Sequence, residues 1–293
     1  MTRQSRAAAG RALTTIAAVL TAACSTIEPA PDAGVVPAAV VVTLPDAIDF
    51  VPLNPARGDA SPQAGVLWGD IRSDGPSGVL LKFADGFSSP PHIHNITYRT
   101  IVIDGHIHND DPTAAKLWMG PGSYWTQPAG EVHITAAKPG ASAMVLLEIL
   151  EGPYLVQPPA ELFDNGERPI NVTASNVRWF GPDDLRWLDT PCVREQCPAV
   201  AFLWPARDTV GSQALLVKLP VDSVVRVTGG GATLRMVIVA GTADYAAANS
   251  RVGTELPVGA HVASSTETEH RLGCRDANGC IFYVRSARPL TLR

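Results

Sequence analysis

Gly86-Phe-Ser-Ser-Pro-Pro-His92-Ile-His94, closing at Gly105, and Gly122-Ser-Tyr-Trp-Thr-Gln-Pro128-Ala-Gly130-Glu-Val-His133 carry the reading of this chain. Residues two apart on a β-strand point to the same face, so His92 and His94 enter one side of a sheet together. The Pro128-x-Gly130 turn then brings His133 in from a neighbouring strand. Five of the seven histidines lie between positions 92 and 133, which scattered surface or core histidines would not produce. The pattern predicts a β-barrel in which His92, His94 and His133 hold one divalent metal ion. Three nitrogen ligands leave positions open for oxygen, water or a chelating substrate, as catalytic sites require and structural zinc sites do not.

Further pocket residues follow from strand alternation. Tyr98 shares the parity of His94. A phenol of ordinary pKa near 10 would have to ionise to ligate well, so Tyr98 is expected to donate a hydrogen bond to a bound substrate or to wall the pocket. Thr100 and Val102 follow on the same side, and Trp125 and Gln127 lie on the strand entering the Pro128 turn, where they are expected to line the cavity. Glu148 is the one acid inside the apolar run Met144–Leu150. It either pairs with an Arg or Lys at a strand end or supplies a carboxylate to the site. His106 and His108 flank Ile107, the expected core residue of their strand, and read as outward or mouth-lining.

Around this core the chain has 293 residues, 46% of them hydrophobic and 17% charged, enough for two domains. Residues 1–23 carry Arg3, Arg6 and Arg11 and no acid, followed by an apolar run too short to span a bilayer, and read as a signal peptide. Leu20-Thr-Ala-Ala-Cys24 has the form of a bacterial lipobox, which would make Cys24 a lipidated N-terminus and residues 25–45, rich in Ala, Pro and Val, a flexible tether. The expected location is the bacterial cell envelope, with membrane contact through the lipid anchor alone. Loss of the leader would leave 20 basic residues against 28 acidic ones, and no basic cluster suggests nucleic-acid binding. The other four cysteines form close pairs, Cys192/Cys197 and Cys274/Cys280, which in an exported protein read as two disulfides. A zinc knuckle of His270, Cys274 and Cys280 is the competing reading.

Short β-rich runs bounded by Gly and Pro, with no long helical period, give an all-β fold class. Trp68, Lys82, Arg99 and Gly105 recur as Trp204, Lys218, Arg235 and Gly241, 136 residues on, and Gly122 and His133 recur as Gly259 and His270, 137 on. The chain therefore reads as a tandem repeat. It divides into a metal-binding barrel over 46–155, a connecting segment over 156–194 and a degenerate barrel over 195–293. In the second half His92, His94 and Tyr98 correspond to Thr228, Gly230 and Leu234, leaving His270, which His261 could join. A single imidazole does not hold a metal, so this half is expected to be structural or dimer-forming.

The two histidine blocks resemble the paired motifs of the cupin superfamily of jelly-roll barrels. The runs Pro90–Arg99, His108-Asn-Asp-Asp-Pro112 and Trp125–Glu131 are similar to those of bacterial bicupins without an assigned reaction. These look related to the zinc-binding cupin domain of an anti-sigma factor and to acetylacetone-cleaving dioxygenase, a three-histidine iron enzyme. The resemblance implies His92, His94 and His133 as ligands, Fe2+ ahead of Zn2+ or Mn2+, and a small-molecule substrate. The glutamate ligand usual in cupins is replaced by Tyr98. Oxygen-dependent cleavage of a dicarbonyl-like or phenolic molecule is the leading expectation, followed by a zinc- or manganese-dependent hydrolase or isomerase. A non-catalytic envelope cupin that binds or senses a small ligand or metal is the alternative.

Overall fold

The run Ala143-Met-Val-Leu-Leu-Glu-Ile149 shows why the chain folds as it does. Val145, Leu147 and Ile149 point into one apolar core, while Leu146 points into another on the opposite face of the sheet. A strand buried on both faces loses the usual apolar/polar alternation. In this computed structural model the described residues are 40–185, 187–188, 192, 196–205, 213–229, 233–248, 250, 253–265 and 267–293. The leader, Cys24, most of the tether and Gly230 lie outside them.

The first half comprises β1 (Val40–Thr43), β2 (Phe50–Pro52), β3 (Gln63–Trp68), β4 (Ser77–Phe83), β5 (Ile93–His94), β6 (Tyr98–Asp104), β7 (Ile107–Asp110), β8 (Tyr124–Gln127), β9 (Ile134–Ala137) and β10 (Ala143–Ile149). Then follow β11 (Val156–Gln157) and β12 (Ile170–Val172). The second half adds β13 (Ala199–Pro205), β14 (Gln213–Leu219), β15 (Val224–Thr228), β16 (Leu234–Ala240), β17 (Ala243–Ala247), β18 (Thr254–Leu256), β19 (His261–Ser264), β20 (His270–Cys274), β21 (Cys280–Ser286) and β22 (Thr291–Leu292). Helical structure among the described residues is limited to short 3-10 turns, and no helix is long and apolar enough to cross a membrane.

One sheet of each half has the same topology. The order β8-β6-β10-β4-β3 in the first is matched by β19-β16-β21-β14-β13 in the second, with β12 and β2 added at the first sheet's edges and β1 at the second's. These are two tandem cupin barrels. Their turns repeat as well: Gly105 and Gly241 sit at φ 68° and 76°, where a Cβ would come within 2.2 Å of the Ser142 carbonyl and 2.6 Å of the Gly279 carbonyl respectively.

Two expected boundaries shift. Val40–Thr43, assigned to the tether, instead pairs with β19 and completes the second barrel's sheet, so the N-terminal arm crosses to the C-terminal half. The segment expected to connect the barrels is divided between them: β11 covers β5 and β12 extends β8 in the first, while Phe180 and Leu188 bridge to Val200 and Leu292 of the second. Both cases have the same cause, an open sheet edge that needs backbone partners.

The matched sheets face each other. Ile101, Ile103 and Leu146 from the first pack with Leu216, Val237 and Tyr283 from the second. Repeat partners trade places across this interface. Arg99 lies 5.9 Å from the Trp204 ring, and Arg235 lies 4.8 Å from the Trp68 ring. Glu148 and Arg285, 137 residues apart, meet at 3.5 Å, and the Tyr283 hydroxyl donates to Glu148 at 2.7 Å. Disulfides join Cys192 to Cys197 and Cys274 to Cys280. Covalent cross-links of this kind belong to oxidising compartments, the periplasm or the exterior.

Candidate metal centre

His92 and His133 sit directly opposite each other in an antiparallel bridge, each just before a strand, β5 and β9. Their backbones exchange two hydrogen bonds, His92 N–H to His133 O at 3.1 Å and His133 N–H to His92 O at 3.0 Å. His94, two residues on, shares the face of His92. The return to His133 runs through the Pro128-Ala-Gly130 turn, where Gly130 at φ 77° donates its N–H to the His94 carbonyl at 2.8 Å. A Cβ at Gly130 would lie 2.2 Å from the Phe163 carbonyl, so only glycine closes this turn.

Three side-chain nitrogens, one from each histidine, lie within 4.8 Å of one another. Each ring has its Nδ1 against a backbone carbonyl: His92 on Pro90 at 2.9 Å, His94 on Leu155 at 2.9 Å and His133 on Glu131 at 3.0 Å. A carbonyl oxygen only accepts, so Nδ1 carries the hydrogen in all three neutral rings and every Nε2 keeps its lone pair. Burial, with the neighbouring imidazoles adding to it, depresses the pKa of His94 well below the ordinary value and that of His133 to about 3; burial also lowers His92. The rings are therefore neutral at physiological pH. His92 Nε2 and His94 Nε2 stand 3.1 Å apart, two acceptors with no hydrogen between them. Such a contact is repulsive unless a cation occupies the focus. It is also a separation that two nitrogens reach when both bind one ion at about 2.0–2.1 Å. The donor set fits a divalent transition metal.

Two phenols meet the same focus. Tyr98, on β6, lies 3.2 Å from His133 Nε2 and 3.0 Å from Asn109 Oδ1, to which it donates. Asn109 also accepts from Thr135 at 2.7 Å and donates to Gln127 at 2.8 Å, so this buried network fixes the ring. Tyr154 stacks on His94 with ring centroids 4.2 Å apart and places its hydroxyl 3.1 Å from His94 Nε2. Burial raises the pKa of both phenols, keeping them protonated. Tyr154 and Asn109 were not anticipated from the sequence. The Asn109 signal was present, since it shares a strand with His108, but Tyr154 lies far from either histidine block.

Above the histidines is a cavity of about 260 Å³, walled by Leu81, Phe83, Trp125, Val145 and Leu147 together with Thr100. Thr100 and Trp125 thus line it as expected. Val102 faces the same barrel interior but belongs to the apolar core behind the cavity, and Gln127 supports Asn109 from outside the lining. Glu148 is on the opposite face of its strand, bonded to Tyr283 and Arg285, because β10 alternates and only its odd-numbered residues enter the barrel. It supplies no carboxylate to the site. His106 is exposed, whereas His108, expected to point outward or line the mouth, is fully buried with its Nδ1 accepting from Leu117 N–H at 3.3 Å. The strand begins only at Ile107 and is covered on both faces, so alternation at its start misleads.

Among its described residues the second barrel has no such focus. His270 is buried with its Nδ1 2.8 Å from the Tyr245 hydroxyl, and His261 is also buried but does not join it, lying 5.3 Å from the Trp68 ring in the interface. On the repeat register Tyr98, Thr100 and Thr135 correspond to Leu234, Met236 and Leu272, which fill the interior.

Several solved structures are similar over most of the chain. A candidate dioxygenase from Nostoc punctiforme aligns with TM-score 0.62 and 16% identity over 85% of this chain and 82% of that one. Salicylate 1,2-dioxygenase from Pseudaminobacter salicylatoxidans gives 0.55 and 10% over 87% and 88%. The 7S globulin of Momordica charantia gives 0.54 and 11% over 86% of each. At these identities the likeness is one of fold. No curated protein sequence matches the chain. Residues 41–293 match the model of a family described only as a domain of unknown function, DUF4437, and the chain belongs to that family.

Proposed function

We propose that the protein is a metal-dependent cupin enzyme whose first barrel binds one divalent ion, iron in its working form, on His92, His94 and His133 and acts on a small organic molecule by oxygen-dependent cleavage. The observation that carries the reading is the convergence of three buried Nε2 lone pairs, each fixed by an Nδ1–H bond to a backbone carbonyl. The fold likeness to dioxygenases supports it. When bound, the metal supplies Lewis acidity and open positions for oxygen and a chelating substrate.

The chain's own residues do the rest. The apolar walls exclude water, which strengthens every polar contact inside. Tyr98, expected as the donor to substrate, has its proton directed to Asn109, which leaves its oxygen lone pairs toward the focus. The Tyr154 hydroxyl has one hydrogen-bond partner among the described residues, His94 Nε2. Once that lone pair is engaged, its hydroxyl is the group left to donate to an oxygen of the substrate, and Tyr98 orients and accepts.

Export through the leader, lipidation at Cys24 and a homodimer complete the proposal. The test is elemental analysis of protein purified from residue 25 onward without oxygen and without chelating resin, followed by oxygen uptake on the iron-loaded form with β-dicarbonyls and catechols. One ion per chain together with turnover supports the reading. Stoichiometric metal without turnover on any reconstituted metal would move it to ligand binding or sensing.

A further inference from the structure

Among the described residues, the cavity above the histidines is lined by no acidic side chain and, apart from the histidines themselves, by one basic side chain, Arg57. Arg57 lies in the 3-10 turn Pro55–Ala60, which is fixed at both ends: Leu53 N–H donates to the Pro62 carbonyl at 2.8 Å, and Asn54 N–H to Ser61 Oγ at 2.9 Å. The Asn54 side chain accepts from Ala56 N–H at 3.0 Å and caps the turn. This closed loop holds Arg57 at the solvent end, while His94, Thr100 and Trp125 are each about 1% exposed at the floor. The guanidinium stands 5.8 Å from the Phe87 ring, another lining residue, and no carboxylate of a described residue pairs with it. A planar guanidinium beside an aromatic ring, with its fork of donors unused, suits bidentate capture of a carboxylate.

From this geometry, and resting on the reading of the first barrel as the substrate site, we infer that Arg57 is the specificity-determining anchor for a carboxylate on a compact apolar body. The walls take the apolar part, and the carboxylate is held at the mouth. The cavity lies just below the roughly 300–1,000 Å³ of drug-sized sites, which keeps the ligand small. One guanidinium matches one monoanion; a dianionic phosphate would ask for a second cationic side chain, and the lining offers none beyond the neutral histidines.

The test is calorimetric titration of the mature protein, as purified and again after dialysis against EDTA, with benzoate against benzamide and octanoate against octanamide. In the dialysed form Arg57 is the sole cation facing the ligand. Carboxylates are expected to bind about tenfold or more tightly than their amides, as a charge-assisted bidentate contact implies. Arg57→Ala should remove that preference while leaving amide affinity and thermal stability unchanged, and Arg57→Lys should restore part of it. Equal binding of acid and amide, binding of neither, or a preference that survives Arg57→Ala would overturn the inference. If the histidines hold no metal, the two preparations behave alike and the Arg57 comparison still reads out, so the two failures are separable.

Discussion

Replacing Glu148 separates a metal ligand from a structural acid. The side chain is 5% exposed, accepts from Tyr283 at 2.7 Å and lies 3.5 Å from Arg285 Nε, with Arg99 and Arg235 close enough to feel its charge. Glu148→Leu strands these cations and the Tyr283 hydroxyl inside the interface between barrels. Breaking a buried pair in this way costs about 3–5 kcal/mol. At about 2–4 °C per kcal/mol for a protein of this size, the melting temperature should fall by roughly 10 °C. Glu148→Gln keeps an acceptor for Tyr283 and should lose about half as much. The double change Glu148→Leu with Arg285→Met removes both partners and should recover part of the loss, since an apolar replacement of a buried pair is often near neutral. Differential scanning calorimetry beside elemental analysis reads both quantities. An unchanged melting temperature with metal lost in Glu148→Gln would refute the assignment and return Glu148 to the metal.

Alanine at His92, His94 or His133 should abolish stoichiometric metal, because two imidazoles in a partly open site are too few, whereas His270→Ala should leave metal content as in the parent. Tyr154→Phe should keep metal and fold but lower turnover by about ten- to a thousandfold, as loss of a donor to developing charge does, with metal measured on the same sample. Burial lowers the pKa of His261, beside Arg235, and of His270 to about 4. Both are depressed below the unfolded value near 6.5, so the unfolded state binds more protons below that pH. The stability is complete above about pH 6.5 and falls by about 2–3 kcal/mol for each as pH drops to 4, and thermal melts across this range should lose about half of this dependence in His261→Phe. Cys24→Ala should release a soluble, folded protein from the membrane fraction, and identical fractionation of variant and parent would reject the anchor.

Much of this was legible because it depends on parity and turn geometry. His92 and His94 share a face by alternation, Gly130 is the only residue that closes the turn to His133, and the 136–137 offset exposes the repeat. What escaped were contacts between residues distant in sequence. For Glu148, pairing with an Arg or Lys was one of two readings, but nothing in its own strand identifies the partner as Arg285, 137 residues later, on the opposing sheet. Tyr154 reaches His94 from 60 residues away, past the end of β10, and carries no local pattern. Parity also fails where a strand is covered on both faces, which is why His108 is buried beside an equally buried Ile107.

The asymmetry between the barrels follows from the same interior positions. In the first, Tyr98, Thr100, Asn109 and Thr135 keep polar groups around a cavity; in the second, Leu234, Met236, Tyr245 and Leu272 occupy the repeat-related positions and close it. A filled barrel contributes burial without needing a hydration site, while an open one forgoes contacts that a packed core would make. The filled half and the 13 buried residues of the interface cluster therefore offset the cost of an open site in the other half. Filling the first cavity by Thr100→Met, its counterpart in the second barrel, should on this argument raise thermal stability while blocking ligand access, and a variant that binds benzoate as the parent does would refute it.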